Sequence, residues 1–247
     1  MNINSIMKPL VHVNKKISET VTLPYRIYIP ENYDPNKKYP LMIFMHGAGE
    51  RGTDNMQLHS VDANRYFYYI IEDDRLKDEY ILIAPQCHPE HRWVEQDWSQ
   101  SVYEFCPSCQ LSVPLTLFYD LLDNEIFTKY NIDMNKILMT GLSMGGFATW
   151  FTMMYQPNLL AAAIPICGGA DPKMAEIIKN IPIWIFHSDD DPGVPSKSLH
   201  AMKKALEEVN ATDFHATLYT HEGHGCWGRA YLEKPTFDWF ISRNKNK

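Results

Sequence analysis

Continuous apolar runs alternate along this chain with amphipathic segments, and the two patterns predict different elements. An apolar run of strand length that stops at a glycine, a proline or a polar cluster is typical of a buried parallel strand. Such runs occupy 39–47, 80–86, 136–141, 160–169 and 181–188, and alternating segments predict an early and a last strand at 25–30 and 213–221. Helices are predicted for 114–130, 145–156, 196–210 and 234–244. This order predicts an α/β fold with a mostly parallel central sheet flanked by helices on both faces.

The composition agrees with a single folded domain over residues 1–247 and narrows the range of partners. Hydrophobic residues make up 45% of the chain, which is enough for a sizeable core. The net charge of −7 comes without any block rich in lysine or arginine, which argues against a nucleic-acid partner. No apolar run approaches the length of a membrane span, and the first residues lack the apolar centre of a signal peptide. We therefore expect a cytoplasmic protein that does not bind membranes, or a secreted one whose signal has been removed.

Five cysteines occur, at Cys87, Cys106, Cys109, Cys167 and Cys226. An odd number without a signal peptide predicts mostly free thiols. Cys106 and Cys109 have the Cys-x-x-Cys spacing, but no second such pair is present to complete a zinc site. We expect two small residues in an ordered loop at this point, and neither a metal nor a cofactor for the protein.

The junction between the predicted strand 136–141 and the following helix carries Gly-x-Ser-x-Gly at Gly141, Ser143 and Gly145. A serine at such a junction is typical of a nucleophile on a strained turn, which small neighbours two residues away permit. The start of the helix directs backbone N–H groups at a developing oxyanion. We predict that Ser143 is a nucleophile, and an ordinary glycine-rich connection is the alternative.

A serine hydroxyl needs a general base, which we expect to be a histidine in the loop after the last strand. This loop contains His221 and His224. His224 is preferred because it lies between two glycines, deeper in a loop that can fold over the sheet. His221 is nearer the strand and is expected to be packed or solvated.

The base in turn needs a carboxylate that fixes its tautomer. Asp189, Asp190 and Asp191 follow the predicted strand 181–188. Three consecutive acids are often a solvated turn, but here they complete the chain order Ser, Asp, His that α/β-hydrolases use. Asp191 is preferred because Pro192 follows it and bends the loop back towards the sheet.

The segment 46–52, His-Gly-Ala-Gly-Glu-Arg-Gly, follows a predicted buried strand and has the small residues of an oxyanion loop. We predict that the two oxyanion donors are the backbone N–H groups of Met144 and Ala48, with Gly47 as the alternative for the second. Arg51 is a candidate for binding a substrate carboxylate or sugar hydroxyl. Its alternative is an ion pair with a nearby acid that stiffens the loop.

Together the motifs GLSMGG, HGAGERG, HSDDDPGVP and GHGCW resemble the α/β-hydrolase superfamily. Within it they resemble most the bacterial esterase branch, which includes feruloyl and acetyl xylan esterase-like proteins and proteins labelled predicted peptidases. The resemblance extends over about residues 25–239. In that branch the acid lies in a His-Gly-x-x-Asp-x-x-Val-Pro turn, which here falls on Asp191 with Ser188 in place of the glycine. The histidine lies in a Gly-His-x-x-Trp context, which falls on His224.

The long segment 87–113 carries four aromatic residues, Trp93, Trp98, Tyr103 and Phe105. Segments of this length are often functional, so Trp93 and Trp98 are candidates for a wall that stacks on a sugar or an aromatic acyl group. The alternative is that the aromatic residues anchor the loop to the domain. The stretch 168–181 is short, so no large lid is expected after the sixth strand.

These features predict a serine carboxylic ester hydrolase that forms an acyl-enzyme on short-chain or aromatic acyl esters, such as acetyl or feruloyl esters linked to carbohydrate. A serine peptidase of the same fold is one alternative. A non-catalytic binding protein of this fold is an alternative from another class, although such proteins typically lack a triad member. The oligomeric state is not indicated by the sequence.

Overall fold

The computed structural model describes residues 6–58, 64–100, 104–106 and 111–246. The strands in this part of the chain are β1 (Lys8–His12), β2 (Leu23–Tyr28), β3 (Tyr39–Met45), β4 (Ile81–Pro85), β5 (Ile132–Leu142), β6 (Ala162–Ile166), β7 (Ile183–Ser188) and β8 (Phe214–Tyr219). They form one sheet in the order β1-β2-β4-β3-β5-β6-β7-β8. β2 is antiparallel to both of its neighbours, and the remaining pairs are parallel.

The helices of the described residues are α1 (Arg65–Ile71), α2 (Val113–Leu121), α3 (Phe127–Lys129), α4 (Met144–Tyr155), α5 (Ala175–Ile178), α6 (Lys197–Glu208), α7 (Trp227–Ala230) and α8 (Lys234–Ser242). A π-helical turn, Leu122–Ile126, joins α2 to α3, and short 3-10 turns lie at Ala48–Glu50, Pro172–Met174 and Gly223–Gly225. Buried residues of α2, α4 and α6 pack against one face of the sheet, and those of α1, α7 and α8 pack against the other.

The central strands are apolar on both sides because both faces of the sheet are covered. In β3, Leu41, Ile43 and Met45 belong to the core on one face, while Met42 and Phe44 belong to the core on the other. Successive side chains of a strand point to opposite faces, so a continuous apolar run supplies both cores at once. The carboxyl ends of the parallel strands then lie along one edge of the sheet, where the site is built.

The predicted α/β architecture with a mostly parallel sheet is confirmed, and of the described helices and strands that were missed, two are longer than four residues. One is β1, whose first four residues are exposed, so that it lacks a buried apolar pattern. The other is α1, an aromatic run without clear helical spacing. Between β6 and β7 the described chain holds only a 3-10 turn and the short α5, and no large lid is present among the described residues. None of the described helices combines the length and the apolar character that crossing a membrane requires.

Candidate functional site

Ser143 lies at the tight turn between β5 and α4, with φ of 52° and ψ of −119°. This strained backbone is held by a hydrogen bond from the Ser143 N–H to the carbonyl of Ile166 at 2.9 Å. A Cβ atom at Gly145 would lie 1.9 Å from the carbonyl oxygen of Met45, and one at Gly141 would lie 2.4 Å from that of Gly145. The two glycines are required because any side chain there would collide with the backbone that frames the turn.

The structure brings Ser143, Asp191 and His224 together from three strand ends. His224 Nε2 lies 2.8 Å from Ser143 Oγ, and His224 Nδ1 lies 2.7 Å from Asp191 Oδ2. A carboxylate can only accept, so Nδ1 carries the proton and Nε2 presents its lone pair to the hydroxyl. The arrangement can therefore take a proton from the serine and hold the positive charge that results beside the carboxylate.

The carboxylate of Asp191 is buried and fully hydrogen-bonded. Its Oδ1 accepts the backbone N–H groups of Gly193 at 2.8 Å and Val194 at 2.9 Å. Burial alone would raise its pKa, but hydrogen bonds from His187, His224 and the two N–H groups outweigh burial and hold the pKa well below its usual range. Asp191 is therefore ionised throughout the neutral pH range.

The two preceding aspartates are exposed and hold the histidine loop in place. Asp190 accepts the hydroxyl of Ser188 at 2.6 Å and the N–H of Gly223 at 2.9 Å. Asp189 accepts the N–H of His221 at 3.3 Å, and the His221 side chain is itself exposed. These contacts fix the path of the loop between β8 and α7 rather than the ring that faces the serine.

Ala48 and Met144 each begin a helical turn at the edge of the site, and the N–H of such a first residue has no partner inside its own turn. The N–H of Gly47 instead faces the carboxylate of Glu50. Burial raises the pKa of Glu50, and the N–H groups of Glu50 and Gly47 only partly offset this. Gly47 is thus engaged within the loop, which leaves Ala48 as the freer of the two sequence candidates.

The loop after β3, which carries the candidate oxyanion donor Ala48, packs against a neutral histidine. Burial lowers the pKa of His46 to about 4, although its hydrogen bond to Gly47 acts in the other direction. Its Nδ1 lies 2.6 Å from the carbonyl of Gly47, and its Nε2 accepts the N–H of Cys87 at 2.9 Å. Trp93 is fully buried and donates its indole N–H to the carbonyl of His46 at 3.1 Å. This tryptophan, expected from the sequence in a substrate wall, lies in the core beneath the loop.

Arg51 donates to backbone carbonyls in two different loops. Its Nε donates to Ala48 at 2.9 Å, and its Nη1 donates to Pro89 at 3.1 Å and to His91 at 3.4 Å. The alternative predicted from the sequence was an ion pair between Arg51 and a nearby acid. The described contacts of Arg51 are with backbone carbonyls. The guanidinium instead ties the loop after β3 to the loop after β4, at the residue whose N–H is an oxyanion candidate.

The described part of the segment 87–113 is packed against the domain. Trp98 is half-buried, and the guanidinium of Arg92 lies 4.4 Å from the centre of its ring. The ring of Phe105 lies 5.2 Å from that of Phe151 on α4. A cavity of about 310 Å³ opens between this segment and α2 and α4. Tyr103, also named as a wall residue, lies outside the described residues.

Of the cysteines in the described residues, Cys87, Cys167 and Cys226 are free and buried, whereas Cys106 is disulfide-bonded. The prediction of mostly free thiols is thus confirmed for three of the described cysteines, and Cys106 is the exception. Cys109 lies outside the described residues. Cys167 lies beside the site and donates its thiol to the carbonyl of His224 at 3.3 Å.

Three side chains that contact the site were not singled out from the sequence. They are His46, His187 and Trp227, whose ring meets that of His224 edge-to-face at 5.3 Å. The signal for His187 and Trp227 was present, because each occupies a fixed position in the two family patterns around the acid and the histidine. His46 had a signal too, because it is the first residue of the HGAGERG motif, although that motif does not show that the ring is buried.

At the carboxyl edge of this sheet, a serine is hydrogen-bonded to a histidine, which is hydrogen-bonded to an aspartate. Together with the strand order, this arrangement defines the class of α/β-hydrolases. Within that class, the family model described as phospholipase/carboxylesterase matches residues 32–233. The chain therefore belongs to the phospholipase/carboxylesterase family, and the resemblance stated from its motifs is confirmed.

Individual relatives are similar over differing shares of their length. A solved structure described as a thermostable esterase is 33% identical with a TM-score of 0.82, over 97% of this chain and 64% of that chain. Endo-1,4-beta-xylanase Y of Acetivibrio thermocellus is 25% identical over 67% of this chain and 15% of its own length. Prolyl endopeptidase FAP of Mus musculus is 22% identical over 91% of this chain and 31% of its own length. The chain thus spans less than a third of these two curated relatives.

Proposed function

We propose that this chain is a serine carboxylic ester hydrolase in which Ser143 is the nucleophile, His224 the general base and Asp191 the acid. The observation that carries the proposal is the continuous contact from Asp191 Oδ2 through His224 to Ser143 Oγ, at 2.7 and 2.8 Å. Both distances lie within hydrogen-bond range for a nucleophile, its base and the group that orients the base.

In the first half of the reaction, Ser143 Oγ attacks the ester carbonyl while its proton moves to His224 Nε2. The imidazolium formed at that moment is stabilised by the ionised Asp191. The negative charge on the carbonyl oxygen is met by the N–H groups of Met144 and Ala48, which are held in place before the substrate arrives. His224 then returns the proton to the departing alcohol, and an acyl group remains on the serine.

In the second half, water replaces the alcohol. His224 Nε2 takes a proton from the water as it attacks the acyl carbonyl, and the same N–H groups receive the oxyanion. The proton is then returned to Ser143 Oγ as the acid product leaves. The contacts of His46, Trp93 and Arg51 with the oxyanion loop support this cycle, because they keep the Ala48 N–H in one orientation.

We propose short-chain or aromatic acyl esters as substrates, including acetyl or feruloyl groups linked to carbohydrate. The similarity to a thermostable esterase supports an ester, and the similarity to a protein named as a xylanase supports a carbohydrate-linked one. The described residues carry no large cover that would shield a long alkyl chain from water. A methylene left in water contributes none of the roughly 0.8 kcal/mol that burial would supply.

A serine peptidase is the second candidate, and the similarity to prolyl endopeptidase FAP over 91% of this chain is the observation that favours it. The acyl-enzyme chemistry is shared, so the two candidates differ in the leaving group. Matched p-nitrophenyl esters and p-nitroanilides of the same acyl group separate them. The ester hydrolase proposal expects turnover of the ester, and turnover of the anilide at a comparable kcat/KM would replace it with the peptidase.

The nucleophile is tested by Ser143→Ala with Ser242→Ala as the matched control, since Ser242 is an exposed serine at the end of α8. Ser143→Ala should lower kcat for p-nitrophenyl acetate by roughly 10³ or more while the control keeps its activity. A fluorophosphonate should label the unmodified protein at Ser143 only. Labelling elsewhere, or an active Ser143→Ala protein, contradicts the proposal, and no labelling with no turnover favours the non-catalytic alternative.

The substrate class is tested by a series of p-nitrophenyl esters from acetyl to palmitoyl, with methyl ferulate alongside. We expect kcat/KM to be largest for acetyl to butyryl esters or for the ferulate. Trp98→Ala should lower kcat/KM for methyl ferulate more than for p-nitrophenyl acetate if its ring contacts the acyl group. Trp93→Phe should instead lower all esters by one factor, because it acts through His46. A maximum at long chains contradicts the proposed substrate class.

A further inference from the structure

His187 lies near the end of β7 and is fully buried. The proposed mechanism assigns it no step. Its Nε2 lies 2.9 Å from the carbonyl oxygen of Val194 and 3.3 Å from Asp191 Oδ2. Its Nδ1 is buried and has no hydrogen-bond partner among the described residues. The ring therefore sits directly behind the carboxylate that His224 contacts from the other side.

The contacts of His187 determine which of its ring nitrogens donates. The carbonyl of Val194 and the carboxylate of Asp191 can only accept, so Nε2 must carry a proton. His187 therefore donates through Nε2. Its Nδ1 has no hydrogen-bond partner among the described residues, so the donor side of the ring carries its polar contacts.

We propose that His187 is a positioning residue for the acid of the triad, which deepens the function proposed above and rests on it. Its Nε2–H is shared between the Val194 carbonyl and Asp191 Oδ2, the same oxygen that accepts His224 Nδ1–H. Oδ1 accepts the N–H groups of Gly193 and Val194. Donors on both oxygens hold the carboxylate in one rotamer, with Oδ2 facing His224.

The second acceptor of His187 extends this role to the backbone. The N–H of Val194 donates to Asp191 Oδ1, and the carbonyl of Val194 accepts a hydrogen bond from His187 Nε2. The turn 191–194 is therefore bonded both internally and to the end of β7. Without the imidazole, Oδ2 keeps His224 as its sole side-chain donor, and the turn loses its contact to the strand. The expected result is a less well aligned His224, which lowers the rate of proton transfer and leaves substrate binding unchanged.

The experiment compares His187→Leu, which removes the donor, with His187→Gln, whose side-chain amide reaches the position of Nε2, and with His187→Asn, whose amide is too short. His215→Gln is the matched control, because His215 is an exposed histidine on β8. We expect His187→Leu to lower kcat for p-nitrophenyl acetate by about 10- to 100-fold with KM nearly unchanged. His187→Gln should restore most of this loss, and His187→Asn should not.

A second readout separates positioning from general support of the fold. The Nδ1–H of His224 should give a low-field proton NMR resonance, and His187→Leu should shift it while His187→Gln should not. Equal kcat for the Gln and Asn variants, or a reduced melting temperature with an unmoved resonance and an unchanged kcat, overturns the proposal. If His187→Leu does not fold, the comparison of His187→Gln with His187→Asn still tests the positioning role, since both are polar substitutions of similar size.

Failure of this proposal and failure of the proposed function give different results. If the unmodified protein is labelled at Ser143 by a fluorophosphonate and hydrolyses the ester, the function stands. Full kcat in His187→Leu then overturns the positioning role alone. If the unmodified protein is neither labelled nor active, the proposed function fails. The low-field resonance and its response to His187→Leu still report whether the imidazole orients Asp191.

Discussion

Two histidines in this molecule each contact carboxylates from a distant part of the chain, and they are arranged in opposite ways. At the end of β1, His12 Nε2 lies 2.6 Å from Asp120 Oδ2, and its Nδ1 contacts Glu125 Oε1. At the carboxyl edge of the sheet, His224 has one carboxylate on Nδ1 and a hydroxyl on Nε2. The first histidine thus meets two carboxylates, and the second meets one carboxylate and one hydroxyl.

The difference shows how the contacts of a histidine decide whether its ring only joins two elements or can also pass a proton. Both nitrogens of His12 face carboxylate oxygens, so each can only donate, and the ring joins β1 to α2 and the π-helical turn. Nε2 of His224 faces the hydroxyl of Ser143, which can donate as well as accept. A ring with one permanent acceptor and one exchangeable neighbour is oriented and is still free to gain and lose a proton.

The largest expected effect is on activity, from His224→Asn. Removing the base should lower kcat/KM for p-nitrophenyl acetate by about 10⁴ or more, with little change in melting temperature. The fold should persist because Asp191 keeps its hydrogen bonds from Gly193 and Val194. His221→Asn is the matched control, an exposed histidine in the same loop, and should remain active. A comparable loss in both variants would mean that the loop, and not the ring, is what matters.

The next effect in size distinguishes Asp191 from Asp190, two of the three aspartates that contact the histidine loop. Asp191→Asn should lower kcat by about 10⁴, because an amide in that position favours the wrong tautomer of His224. Asp190→Asn should cost less than about tenfold, since Asp190 holds only Ser188 and the N–H of Gly223. Steady-state kinetics of the two variants check the ranking. The reverse order would move the acid to Asp190 and leave Asp191 as a structural residue.

The residues that meet at the candidate site could be predicted from the sequence where their placement depends on local order. Ser143 was predicted from a strand, a tight turn and a helix in succession, and these determine the backbone on which it lies. Asp191 was separated from its two neighbours by the proline that follows it. In each case the relevant forces act within a few residues, or at the shared edge of a parallel sheet, so that the chain order alone carries the information.

The contacts of His12 could not be predicted in this way. Asp120 and Glu125 lie 108 and 113 residues from it in sequence, and β1 gives no buried apolar pattern that would place it beside β2. Trp93 was singled out from the sequence, but its position could not be predicted for the same reason. Its large ring suggested a substrate wall, but the carbonyl of His46 offers its indole N–H a buried acceptor, and the ring lies in the core. Such outcomes depend on which distant groups meet.

A smaller effect, on stability, is expected at the other histidine. His12→Leu should lower the free energy of unfolding by about 2 to 3 kcal/mol, because Asp120 and Glu125 would be left close together without their shared donor. The melting temperature should fall by about 5 to 10 °C. kcat per folded molecule should not change, since β1 is an edge strand and three strands separate it from β5, which leads to Ser143. His215→Leu is the exposed control, and an equal loss of stability there would remove the role given to the buried contacts.

The smallest expected effect is the pH dependence of that loss. Burial opposes ionisation of both acids, but hydrogen bonds from Asn14, His12 and Asn124 lower the pKa of Asp120, and those from Lys129 and His12 lower the pKa of Glu125. A carboxyl whose folded pKa is lowered stabilises the fold above its unfolded pKa, about 3.9 for aspartate and 4.3 for glutamate, and this contribution is lost as the pH falls through the folded value.

The cost of His12→Leu should therefore be larger at about pH 6 than at about pH 3.5, where the unmodified protein is losing the same contribution. Urea unfolding of both proteins at the two pH values measures the difference. A cost that stays constant would mean that His12 stabilises the fold by packing, and that its contacts with the two carboxylates contribute little. The contrast with His224 would then lie in burial alone and not in the number of carboxylates around the ring.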